Sequence, residues 1–186
     1  SSAFYLLAKN VSKSAKVVLS GQGADEVFGG YFWYEKIMRE KELSGIDTLL
    51  KYYFDRSYDN YKTTIHSDYI SENYASNEIE SRLKHMDPSL SILDKVFRLE
   101  LSMFIIDDPV KRVDNMTMSH SLEARVPFLD IDLVSFMLSV SGEEKIENGE
   151  KFLLKEISKK YLSNKIINRE KFYFPVPPLK IIKDKF

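Results

Sequence analysis

The sequence contains no cysteine. Disulfides, iron–sulfur clusters, cysteine zinc sites and thiol catalysis are thereby excluded, and a cytoplasmic location is the expectation. No apolar run approaches the roughly 18 residues of a membrane span, so no membrane partner is expected. No secretory leader is visible either, because the opening SSAFYLLAKN has neither a basic start nor a cleavage site. It opens on a helical pattern without an initiator Met, as a segment cut from a longer chain would. Charge of one sign is lacking too: 27 basic residues stand against 28 acidic ones, for a net charge of −1. Counterion release needs a clustered basic surface, so nucleic acid is not an expected partner. The tyrosines between residues 51 and 74 could stack on bases, but Asp55, Asp59, Asp68 and Glu72 are interleaved and blunt any basic groove. Histidine is scarce, with three residues. His66, His85 and His120 are mutually isolated, which argues against a histidine metal site. His120 is a candidate acid–base group, against a structural role.

What is present is enough apolar character, 44% of 186 residues, to build the core of one domain, or of a domain with an appendage. Phe4, Leu7, Ala8 and Val11 recur at helical spacing. Val17-Val18-Leu19 reads as a short buried strand and the one clear strand of the chain. Ala24 to Phe28 makes a helical turn stopped by Gly29-Gly30. Helices follow over Tyr31–Glu40, Thr48–Phe54 and Ile79–Met86. Asp87-Pro88-Ser89 is expected to cap the longest helix, with Leu93, Val96, Phe97, Leu101 and Phe104 on its core side, running past Pro109 to Ser119. Val126-Pro127 breaks helix. Asp130 caps a helix that Gly142 is expected to close, and another helix runs from Gly149-Glu150 to Tyr161. The fold class is therefore mainly α, with one or few strands.

Three motifs carry chemistry. In VVLSGQGADEVFGGY, residues 17–31, a strand delivers a small-residue loop to a helix start. Such a loop exposes backbone N–H groups that cradle anions, phosphate above all. Gly21 and Gly23 permit close backbone approach. Asp25 or Glu26 can hold Mg²⁺, which commonly bridges a carboxylate and nucleotide phosphates. The plainer alternative is a strand–turn–helix in which Asp25 only complements the helix N-terminus. In MTMSHSLEARVPFLD, residues 116–130, Arg125 can bind a carboxylate or phosphate through two nitrogens. The alternative is a buried Glu123–Arg125 pair tying a loop to the core. Lys151, at a helix start after ENGE, is disfavoured by the helix dipole. It either contacts phosphate or developing negative charge, or is an ordinary solvated lysine.

Taken together, VVLSGQGADEVFGGY, VDNMTMSHSLEARVPFLD, GEKFLLKE and NREKFYFPVP occur in the order found in the synthetase domain of the asparagine synthetase (glutamine-hydrolysing) family. The chain resembles the C-terminal part of that domain over residues 1 to about 178, with no matching motif between roughly 40 and 90. The resemblance implies an α/β domain like the adenine-nucleotide α-hydrolases of the pyrophosphatase-loop type. It implies ATP and Mg²⁺, a carboxylate substrate activated as its acyl-adenylate, and ammonia supplied by an N-terminal glutaminase domain. Ser20, Gly21 and Gly23 would lie near the ATP phosphates with Asp25 a Mg²⁺ ligand, and Lys151 would contact the phosphates during acyl transfer. Arg125 and Asp130 would order the surroundings. The substrates implied are aspartate, ATP and glutamine-derived ammonia.

The chain departs from the family at Gln22, where Glu is usual and catalytic, and at Tyr173, where Gly is frequent. Nothing matches the SGGxDS loop or the glutaminase cysteine, both upstream in the family. Residues 1–186 are therefore expected to be inactive alone and to self-associate, as a homodimer or more, through a strand at 16–20 with few or no parallel neighbours. Two alternatives stay open: a related amidotransferase of polysaccharide or secondary metabolism, and a non-catalytic helical interaction module.

Overall fold

The computed structural model describes residues 2–40, 43, 45–52, 54 and 56–171. The fold is mostly helical. Helix α1 (Ser2–Val11) leads to strand β1 (Val17–Leu19), then the short α2 (Ala24–Phe28) and α3 (Phe32–Arg39). Helices α4 (Gly45–Tyr52), α5 (Tyr58–Thr64) and α6 (Tyr74–His85) fill the stretch without recognisable motif. Helix α7 (Ile92–Leu99) continues through two wide-turn π segments, Glu100–Phe104 and Ile106–Val110, into α8 (Lys111–Met118). Strand β2 (Glu123–Arg125) follows, then α9 (Ile131–Ser139), α10 (Gly142–Ile146), α11 (Phe152–Ser158) and α12 (Asn164–Ile167).

The expected strand at Val17–Leu19 forms, but it is not buried, since Val17 and Leu19 are exposed, and it is not alone. β2 pairs with it in parallel, in register Val17↔Glu123, Val18↔Ala124 and Leu19↔Arg125. Its Glu-Ala-Arg sequence has no alternating apolar pattern, and the pairing rather than local propensity makes it a strand. The long helix runs past Pro109 as expected. Proline lacks an N–H and its ring clashes with the carbonyl four residues back, and a wide turn keeps the chain helical across it. The cap differs from expectation: Ser91, not the Asp87–Ser89 turn, accepts the Asp94 N–H at 3.1 Å. Gly142 does not close α9, which ends at Ser139. It opens α10 behind a reciprocal Ser141–Glu144 capping box.

Two packed clusters hold these elements. Tyr34, Ile37, Val96, Phe97 and Leu99 centre the larger one, between α3 and α7. The smaller joins Val27 and Phe28 of α2 to Met137 of α9. Burying α2 on both its neighbours fixes the loop between β1 and α3, where the chemistry-bearing residues lie.

Candidate functional site

Parallel pairing aims β1 at a loop. The Ser20 N–H donates to the Arg125 carbonyl at 2.8 Å, the last bond of the ladder. The chain then turns through Gly21, Gln22 and Gly23, whose N–H groups find no backbone acceptor among the described residues. Gly23 has φ +92°, and a Cβ there would run into the Leu129 side chain. Only glycine fits this turn.

Asp25 is the hub of the site. Its Oδ1 lies 3.0 Å from Lys151 Nζ and 2.8 Å from Lys171 Nζ. Lys171 also donates to the Gly30 carbonyl at 3.2 Å and sits 5.0 Å from the Tyr31 ring centre. The Asp25 backbone carbonyl accepts the Gly29 and Gly30 N–H groups at 3.0 and 2.9 Å. A Cβ on Gly30 would collide with both the Asp25 carboxylate and the Lys151 side chain, so the ion pair needs glycine beside it. Lys151 caps α11 with φ 54°, a left-handed backbone that costs a non-glycine residue of order 1 kcal/mol or more. Its N–H is held by the Gly29 carbonyl at 3.1 Å. Two ammonium groups on one carboxylate leave this corner with a surplus of positive charge.

Glu26 points the other way, 2% exposed, and accepts the Tyr31 hydroxyl at 2.6 Å. Burial pushes its carboxyl above the usual carboxylate range, and the Tyr31 hydrogen bond pulls in the opposite direction. Burial and the neighbouring Glu26 likewise push the Tyr31 phenol up.

Two clefts border this segment. One, about 580 Å³, is lined by Lys151, Lys155, Arg169 and Lys171, among others. The other, about 500 Å³, is lined by Glu26, Tyr31, Trp33, Glu100, Asp107 and Arg112, among others. Cations outnumber carboxylates in the first, where Glu150 and Glu170 also line the wall, and carboxylates outnumber the single Arg112 in the second.

The fold therefore gathers Ser20, Gly21, Gln22, Gly23, Asp25 and Lys151 at one place. Arg125 joins through its backbone alone. Its side chain pairs with Glu123 at 2.8 Å with both partners more than half exposed, so the pair is not the buried tie considered from sequence. Asp130 caps α9 by accepting the Asp132 and Leu133 N–H groups. The His120 ring lies against Tyr5 of α1, 4.5 Å between centres, apart from the loop. Tyr173 lies outside the described residues. Sequence reading missed Lys171, although it sits in the quoted NREKFYFPVP, because nothing local links it to Asp25. It also missed the Glu26–Tyr31 pair, five residues apart across the Gly29-Gly30 bend.

No group of carboxylates and histidines that could hold a metal ion on its own occurs among the described residues. Magnesium does not require one: it is usually held by one or two carboxylates and the phosphates of a nucleotide. Asp25 fits that role if it exchanges a lysine for the ion. Among the described residues, no helix is long and apolar enough to cross a membrane.

The family model described as asparagine synthase matches residues 1–185. A Bacillus subtilis (strain 168) protein, asparagine synthetase [glutamine-hydrolyzing] 1, is 30% identical over 93% of this chain and 32% of its own length. The asparagine synthetase [glutamine-hydrolyzing] 3 of the same organism is 28% identical over 90% of this chain and 27% of its own. The Arabidopsis thaliana asparagine synthetase [glutamine-hydrolyzing] 1 is 27% identical over 94% of this chain and 23% of its own. The chain spans a third or less of the length of these relatives.

Proposed function

The chain belongs to the asparagine synthase family, and from that premise we propose that it is the C-terminal portion of the synthetase domain of an ATP-dependent amide ligase. The carrying observation is Asp25 bracketed by Lys151 and Lys171 beside a loop whose Gly21, Gln22 and Gly23 N–H groups have no backbone acceptor among the described residues. The domain would have the adenine-nucleotide α-hydrolase fold, with β1 and β2 part of a larger parallel sheet. The relatives' names make aspartate the first acceptor to try, with nitrogen from glutamine through a glutaminase domain of the longer protein. The work would be cytoplasmic.

In this reading a carboxylate oxygen of the acceptor attacks the α-phosphorus of ATP, and pyrophosphate leaves. Ammonia then attacks the acyl carbon, the acyl–oxygen bond breaks, and AMP departs carrying that oxygen. The N–H groups of Gly21, Gln22 and Gly23, with the Ser20 hydroxyl, hold phosphate oxygens. Lys151 and Lys171 offset the charge that gathers on the departing pyrophosphate. Magnesium, anchored by Asp25, would neutralise charge on the phosphates. Gln22 can donate and accept hydrogen bonds but cannot serve as a base. Arg125 and Asp130 support the loop through β2 and α9 rather than touching substrate.

The test is oxygen transfer in the longer protein. Aspartate labelled with heavy oxygen in its side-chain carboxylate should pass one label to AMP. Product amide formed without label in AMP would overturn the acyl-adenylate route. For residues 1–186 alone, calorimetry should find weak or no Mg-ATP binding; micromolar affinity would show that this portion already holds a full nucleotide site.

A further inference from the structure

Each part of the Tyr31 side chain meets a different group. The hydroxyl donates to buried Glu26 at 2.6 Å. The ring stacks on Trp33, with centres 4.1 Å apart and planes 15° from parallel, and Lys171 Nζ lies over it at 5.0 Å. Gly29, with φ 74°, turns the chain so that Tyr31 comes back to Glu26. A ring face attracts an ammonium through its quadrupole, and phenylalanine would supply the same face. The hydroxyl answers a separate need, because a buried carboxylate is costly without a donor. The hydroxyl thus serves the fold, and the ring is left for the lysine.

The two lysines on Asp25 are held unequally. The Lys171 ammonium has the Asp25 carboxylate at 2.8 Å, the Gly30 carbonyl at 3.2 Å and the Tyr31 ring. The Lys151 ammonium has Asp25 alone among the described residues, at 3.0 Å. Loss of Asp25 as a partner therefore frees Lys151 and leaves Lys171 on two supports. We propose that Tyr31 is the positioning residue of Lys171: its ring keeps that ammonium in the corner when the Asp25 carboxylate is engaged by another cation. Lys171 is then the fixed positive charge of the site, and Lys151 the one that moves to meet substrate. What this positioning does for the reaction rests on the ligase reading; the contact itself does not.

All test variants carry Glu26→Gln, so that losing the Tyr31 hydroxyl leaves no buried carboxylate without a donor, and Glu26→Gln alone is the reference. In residues 1–186, lysines are acylated with trace acetic anhydride and each rate is read by peptide mass spectrometry; acylation needs the amine free of its contacts. Asp25→Ala should raise labelling of Lys151 about threefold and that of Lys171 clearly less. Adding Tyr31→Leu should then raise Lys171 about a further threefold without moving Lys151, whereas Tyr31→Phe should leave Lys171 protected. In the longer protein, with ammonia as nitrogen donor, Tyr31→Leu should lower kcat for amide formation about threefold with KM for ATP unchanged, and should cost nothing further in a Lys171→Ala background. Three results would each overturn the proposal: Lys171 gaining as much as Lys151 on Asp25→Ala, Leu and Phe at position 31 giving equal Lys171 labelling, or a Tyr31→Leu loss that persists without Lys171. A longer protein that formed no amide would sink the ligase reading instead, and the labelling would still decide whether Tyr31 holds Lys171.

Discussion

Lys171 and Asp25 lie 146 positions apart in sequence and 2.8 Å apart in space. Lys151 shares the same carboxylate oxygen. Under the proposed function, a metal ion held by Asp25 would take the place of these partners and leave both ammonium groups to the phosphates.

Each lysine should therefore matter to chemistry more than to folding. Lys151→Ala and Lys171→Ala should each lower amide formation in the longer protein by about 10²–10³, with melting temperature and glutaminase activity nearly unchanged. The double variant should lose less than the product of the two, since they act on one anion. Arginine should rescue little, because a planar fork does not replace a compact ammonium. Steady-state synthesis with ammonia as donor measures this; near-normal synthesis by either alanine variant reduces that lysine to a structural ion pair.

Glycine positions separate shape from function. Gly30→Ala should destabilise the fold by about 1–3 kcal/mol, since its methyl collides with Asp25 and Lys151. Gly21→Ala meets nothing within 4 Å and should stay within about 0.5 kcal/mol of the parent. Urea unfolding of the two variants tests the contrast, and equal losses would contradict it.

Features set by neighbours in the chain were legible in the sequence. The Val17–Leu19 strand, the Gly29-Gly30 stop and the Asp130 cap each depend on residues within a few positions. Features set across the chain were not. β2 exists because β1 lies beside it, Lys171 matters because the fold returns it to Asp25, and Glu-Ala-Arg or Arg-Glu-Lys announces neither. Gly142 misled because a glycine can end one helix or begin the next, and the Ser141–Glu144 box decides which.

Lys145 gives a pH signature. It is 1% exposed, with Nζ 4.3 Å from the Phe97 ring centre. Burial pulls its ammonium down to about 8, against 10.5 for an unperturbed lysine. Between those values the unfolded chain holds more protons than the folded one, so this group makes stability rise with pH. The slope is roughly 1 kcal/mol per pH unit at its steepest. Thermal melts should therefore climb from pH 8 to about 9.5, a window chosen below ordinary tyrosine ionisation. Lys145→Met should melt higher at pH 7.5 and lose the slope. A flat parent profile would contradict the assignment.

The sheet edge should drive self-association. Leu19 is 72% exposed and Val17 43%, on a strand with one paired neighbour among the described residues. Apolar edges recruit further strands. Leu19→Lys should lower the apparent mass of residues 1–186 in light scattering at high concentration. A parent chain that is already monomeric there would remove the premise.

The wide turns of the helix from Ile92 to Met118 act as a phase adjuster. The α7 end presents Leu93, Val96 and Phe97 to the main core, while the α8 end buries Val113 and Thr117. One residue of α-helix is about 100° of rotation. Deleting a single residue between 100 and 110 would remove one of the two wide turns and swing the whole α8 end, with Arg112 and the approach to β2, by about that angle. The alignment of the acidic cleft with the segment around Asp25 is thus encoded in the count of residues along this helix as much as in their identities.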